Sequence, residues 1–228
     1  MSLVQLLVPD RYFVKDPNST ELGKKIVSKG VDLVHELGFE DFTFKKLAVC
    51  IDSTEASIYR YFENKLKFLL FLTTLYWRWI DYLIDYKTHF IENPEEKLRA
   101  ILKILTHQDE LTPISNNAHI DLLHLRAVVM SESDKTYLTK QVDEINKEGL
   151  FKDYKALCKR IATVISEINA EYPYPRALVS TMLEASHQQA FFAMHLPSLT
   201  ECNVDKQSLD EQVMNFLEHT INSAIKKY

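Results

Sequence analysis

The sequence predicts an all-α protein, and three observations carry that prediction. Apolar residues recur three or four apart over long stretches, as from Leu209 through Val213, Phe216, Leu217 and Ile221 to Ile225. The 228 residues hold only 4 glycines and 7 prolines, little material for the tight turns of β-hairpins. No stretch sustains the apolar–polar alternation of a half-buried strand.

Composition narrows the class further. The length suffices for one large domain or two smaller ones with a real core. A hydrophobic fraction of 46% and a charged fraction of 26% are those of an ordinary soluble protein. The net charge of −5 argues against a generally basic nucleic-acid coat. Residues 1–72 carry 10 Lys/Arg and 10 Asp/Glu, net 0, so any DNA binding there rests on local placement. Cys50, Cys158 and Cys202 are far apart and lack CxxC spacing, which predicts neither disulfides nor zinc and fits a cytoplasmic location. The opening MSLVQLLVPDRYF is too short to span a bilayer and lacks a basic leader and cleavage site, so no membrane partner is expected.

Taken in order, residues 1–18 read as an arm ending in a turn-type cluster, Asp16-Pro17-Asn18-Ser19. A first helix is expected from about Thr20 to Leu37, with Ser19 or Thr20 as cap, Gly38 as the stop, and an inner face of Leu22, Ile26, Gly30, Leu33, Val34 and Leu37. Gly30 would let another helix approach closely. A second helix starts at Thr43, with Phe44, Leu47 and Ala48 inward and Lys45 and Lys46 outward. Ile51-Asp52-Ser53 turns the chain, and Ser53 or Thr54 caps a third helix, Glu55 to Tyr61. Asn64 opens a fourth, apolar nearly all round but interrupted by Arg78, Asp81 and Asp85, hence buried on several sides rather than membrane-spanning.

Asn93-Pro94-Glu95-Glu96 starts a fifth helix with a cap, a proline at its first position and acids in the first turn; it ends near His107. Further helices are expected from about Asn117 to Met130, from Ser133 or Asp134 toward Gly149, and from about Leu150 to Glu171. Two more follow, at about 175–195 and 207–226, for about nine or ten helices in all.

Two short helices, a tight turn and the inward set Leu47, Ala48, Ile51 and Ile58 make a helix-turn-helix, whose second helix enters the major groove. Thr54, Glu55, Ala56 and Ser57 are placed to meet base edges. Thr43, Lys45, Lys46, Tyr59, Arg60 and Lys65 are placed to hold phosphates.

The same residues resemble a family. Gly38-Phe39, Thr43, Leu47-Ala48, Ile58-Tyr59, Tyr61-Phe62 and Asn64-Lys65 look like the N-terminal domain of TetR-type transcriptional regulators, over about residues 22–72. The resemblance implies three domains: an arm at 1–18, a helix-turn-helix domain at 19–66, and a helical effector-binding and dimerisation domain at 67–228. It implies a homodimer on a palindromic operator, released by a small apolar or aromatic effector, with repression as the output. By position, Thr43, Tyr59 and Lys65 match the family's phosphate contacts and Thr54 to Ser57 its base-reading segment. Two residues depart from the pattern. Asp52 replaces the turn glycine that takes positive φ, which Asp tolerates better than most residues. Glu55 stands where Lys, Arg or Pro is usual; phosphate repels it, but it could accept from a cytosine N4 amine.

In the body, Trp77, Ile80, Tyr82, Leu83 and Tyr86, with His119, Leu123, His124, Phe151 and Tyr154, are the candidate effector pocket, and the fourth helix is the candidate lever to Lys65. An aromatic stripe at helical spacing equally describes plain core. His119 and His124 are five apart and share no helix face; Asp121 and His124 could pair, but no metal or cofactor is expected. Leu178, Met182, Ala185, Gln189, Phe192, Val213, Phe216 and Leu217, with Leu196, form the expected dimer face. No Gly-rich phosphate loop, GxSxG, HExxH or Cys/His spacing suggests an enzyme or a catalytic residue. The alternative reading is a helical protein-interaction module that keeps the head's fold.

Overall fold

The computed structural model describes residues 8–107, 119–204 and 208–226. Eleven α-helices and no strand occur among the described residues: α1 (Glu21–Asp41), α2 (Phe44–Cys50), α3 (Glu55–Tyr59), α4 (Lys65–Thr88), α5 (Pro94–Thr106), α6 (Leu122–Glu132), α7 (Asp134–Tyr137), α8 (Val142–Lys147), α9 (Lys152–Ile168), α10 (Pro175–His195) and α11 (Leu209–Ile225). The count exceeds ten because the stretch after Ser133 is two short helices. The expected helix starts at Asn117 and Gln207 lie outside the described residues. None of the described helices is long and apolar enough to cross a membrane.

The chain divides into two compact units: Met1–Trp79 with Pro113–Asp153, and Ile80–Thr112 with Tyr154–Tyr228. Both α4 and α9 contribute residues to each unit.

Caps set the ends of the helices in the first unit. Thr20 accepts from Gly23 N–H at 3.0 Å and opens α1. Gly38, at φ 75°, breaks it, and Phe42 N–H then returns to Gly38 O. The buried face of α1 is Gly23, Ile26, Val27, Gly30, Val31 and Val34. That face is turned from the expected one: Leu22 and Leu33 are only half-buried and Leu37 is 38% exposed, while Val27 and Val31 are buried instead. Gly30 does mark a close approach; a Cβ there would meet the Phe68 ring at 2.4 Å. Phe68 is fully buried, stacked on Phe42 at 5.5 Å and edge-on to Phe62 at 5.0 Å. This aromatic cluster seats α2 and α3 against α1 and α4.

An arm precedes α1. Tyr12 is fully buried and donates to Leu150 O at 2.6 Å; Val14 N–H donates to Tyr61 O at 2.8 Å. Burial pushes the Tyr12 phenol above its ordinary pKa. Asp153 receives both Arg11 and Arg78.

In the second unit, α10 and α11 pack on each other and on α5. Of the expected dimer face, Met182, Val213 and Leu217 are each 2% exposed and belong to this unit's own core. Leu178, Ala185, Gln189 and Phe192 are half-buried, and Phe216 and Leu196 are 43% and 46% exposed. Apolar periodicity marks whichever face is buried, so three of the nine residues belong to the core of the unit. Phe191 and Met194, outside it, are the more exposed apolar residues at this end of α10. Arg160 on α9 joins Asp81 at 2.7 Å and Asp85 at 2.8 Å on α4.

Candidate nucleic-acid interface

The helix-turn-helix forms from local rules. Thr43 is in extended backbone and accepts from Lys46 N–H at 3.2 Å, starting α2. Leu47, Ala48, Ile51 and Ile58 are all buried, as the inward set requires. Between the helices Asp52 sits at φ 53°, the only positive-φ residue other than glycine among those described. An L residue there costs roughly 1 kcal/mol, less for Asp, whose short polar side chain tolerates the region. Thr54, not Ser53, caps α3 and accepts from Ser57 N–H at 3.2 Å. Lys25 of α1 donates to Ile51 O at 2.8 Å, occupying a carbonyl that the end of α2 leaves open.

This packing leaves one polar edge in solvent. Thr43, Lys45, Lys46, Thr54, Ala56, Tyr59 and Arg60 are exposed, and Glu55 and Ser57 half-buried. The Tyr59 ring leans edge-on against Phe44 at 5.1 Å, which holds its hydroxyl outward from a fixed base. Lys46 Nζ donates to Asp41 O at 2.7 Å. Lys65 is less free than expected. Its ammonium donates to Phe39 O at 3.1 Å and Glu40 O at 3.2 Å and lies 4.7 Å from the centre of the Phe39 ring. Lys65 therefore closes the broken end of α1, with one of its three N–H donors left over. The strongly exposed Val49, at 79%, and Cys50 beside it belong to the same edge and carry no signal in the sequence pattern.

A second feature, missed from sequence, holds the edge in place. Glu132 at the end of α6 is 7% exposed, and its Oε1 accepts from Phe39 N–H at 3.0 Å. Gly38 frees that N–H by breaking the helix. Lys135 bridges Glu132 at 2.6 Å and Glu40 at 3.3 Å. Burial works against the Lys135 ammonium, but its bonds to Glu132 and Glu40 outweigh it and raise its pKa. One signal was available: an acid immediately before Ser133, where α6 ends.

The body residues scatter. Trp77, Ile80 and Leu83 are buried, Tyr82, His119, Phe151 and Tyr154 half-buried, and Tyr86 and Leu123 are 56% and 51% exposed. His124 faces α1: its Nδ1 is 3.0 Å from Asp32 Oδ1, and its ring stacks on His35 at 4.3 Å. Asp121, 4.0 Å from His124, instead caps α6 through Leu123 and His124 N–H. No group of three or more metal-ligating side chains occurs among the described residues. Burial pushes the Cys158 thiol up to about 11, keeping it protonated and unreactive at neutral pH. Three clefts in the second unit, of about 230, 330 and 420 Å³, are lined by α4, α5, α9 and α11 and by none of the ten pocket candidates.

No protein-family sequence model matches the chain, and no curated protein sequence matches it. Solved structures do. AibR in complex with isovaleryl coenzyme A and operator DNA superposes with a TM-score of 0.57 at 14% identity, covering 89% of this chain and 98% of that one. The ketosteroid transcriptional regulator KstR2 of Mycobacterium tuberculosis superposes with a TM-score of 0.53 at 12% identity, over 87% of this chain and 92% of that one. The chain has the all-α fold of TetR-type regulators.

Proposed function

We propose that the protein is a DNA-binding transcriptional regulator that reads operator DNA with α3. The observation that carries this reading is the exposed edge of the helix-turn-helix. A capped two-helix unit with a sealed apolar interior leaves Thr43, Lys45, Lys46, Tyr59 and Arg60 in solvent around the tip of α3. Hydroxyls and cations so placed suit phosphates, and the short tip between them suits base edges. That AibR, which shares the fold, is solved with operator DNA supports the same use here.

The finer reading belongs to the same proposal. A second copy docks through α10 and α11, using Ala185, Gln189, Phe192 and Phe216, and the resulting two-fold axis calls for a palindromic operator. A small apolar or aromatic effector binds in the body and weakens DNA binding, so the output is repression. Residues 19–66 serve as the DNA head and residues 67–228 as the effector and dimerisation domain, with residues 1–18 as an arm. These steps suit a cytoplasmic protein. Gel shift on the DNA upstream of its own gene tests the proposal: sequence-preferring, salt-sensitive retardation supports it, and none at low salt refutes it. Sedimentation at micromolar concentration tests the dimer, which requires twice 26.6 kDa.

A further inference from the structure

The four residues at the tip of α3 differ in what they can still bond. The Thr54 and Ser57 hydroxyls bond each other at 2.8 Å, and Thr54 Oγ1 also accepts the Ser57 N–H. Ala56 is exposed and offers only a methyl. Glu55 is half-buried and has no hydrogen-bond or ion-pair partner among the described residues. Two lysines of the same edge bond backbone carbonyls, Lys46 at Asp41 O and Lys65 at Phe39 O and Glu40 O.

An ionised carboxylate can only accept hydrogen bonds. In the major groove, guanine shows the acceptors N7 and O6 and thymine the acceptor O4, all of which repel it. Adenine shows its N6 donor beside the acceptor N7. Cytosine alone shows a donor, N4, with no acceptor of its own on that edge. Building on the proposed entry of this tip into the groove, we propose that Glu55 is a specificity-determining residue that selects cytosine in each half-site by accepting from its N4 amine. The local charge fits: residues 1–72 are net neutral, so phosphate attraction is weak and discrimination falls to base contacts.

The test is in vitro selection from randomised duplex DNA with the full-length protein, Glu55→Gln and Glu55→Ala, at one fixed low salt. The wild type should enrich a half-site with a dominant cytosine. Glu55→Ala should lose preference at that position, and Glu55→Gln should move it toward adenine, whose N6 and N7 a carboxamide pairs with. On a single selected duplex, changing that cytosine to thymine should weaken wild-type binding roughly 5- to 150-fold and Glu55→Ala binding by less than about threefold. An unchanged cytosine in all three selections, or none in the wild type, would overturn the assignment while leaving DNA reading intact. No enriched sequence from any of the three would overturn DNA reading itself and the assignment with it.

Discussion

Glu132→Ala should loosen the joint between α6 and the broken end of α1. The substitution leaves Phe39 N–H, freed by the Gly38 break, without its acceptor at 3.0 Å. A buried hydrogen bond to a charged group contributes about 1.5–3 kcal/mol. The Lys135 pair adds less than about 1 kcal/mol, since the lysine side chain is 36% exposed and solvent screens it. The expected loss is therefore about 2–3 kcal/mol, read as a shift in urea midpoint by circular dichroism. Glu132→Gln keeps an oxygen for Phe39 and should cost roughly half as much. Hydrogen exchange localises the effect: the Phe39 amide should lose protection in Glu132→Ala and largely keep it in Glu132→Gln. A loss below about 0.5 kcal/mol in Glu132→Ala, with Phe39 protection unchanged, would refute the reasoning.

Other outcomes follow from the same packing and charges. At Gly23 an added Cβ would lie 2.2 Å from the Pro17 carbonyl, a backbone atom, so Gly23→Ala should cost about 2 kcal/mol or more in thermal or urea unfolding. Gly30→Ala meets only the Phe68 ring and gains helix propensity of about 1 kcal/mol, so its net cost should be smaller, about 1 kcal/mol. Burial lowers the His119 pKa, and its Nε2 has no acceptor among the described residues. The neutral ring is thus the folded form, and stability should fall as pH drops below about 6.5, by at most about 1.4 kcal/mol per unit. His119→Phe should flatten that limb of a pH series of urea midpoints. Glu55→Lys should raise affinity for random duplex at low salt and steepen its salt dependence by about one ion per subunit; equal affinity would mean that α3 does not face DNA.

Local rules made the head legible before any coordinates. Thr43 and Thr54 cap as hydroxyl residues do, Asp52 takes the positive φ that its short side chain permits, and Gly38 stops α1. The inward set Leu47, Ala48, Ile51 and Ile58 falls within residues 47–58, so local spacing alone identifies it. What failed to show are partners set by distant segments. Nothing near Lys65 says that Phe39 and Glu40 carbonyls, some 25 residues away, will hold it. Glu132 and Phe39 are 93 residues apart, and His124 and Asp32 are 92 apart. The dimer stripe shows the other limit: periodicity identifies a buried face but not what buries it, so Met182, Val213 and Leu217 read the same whether core or interface.

An edge around α3 that reads DNA sequence must tell apart duplexes of one composition. Fluorescence anisotropy tests it most directly, with two labelled duplexes of equal length and composition: one taken from the enriched pool, one its shuffle. The account predicts binding to the enriched duplex at least about 1,000-fold tighter than to the shuffle at physiological salt. Equal affinity for both, or no binding to either at low salt, would contradict it.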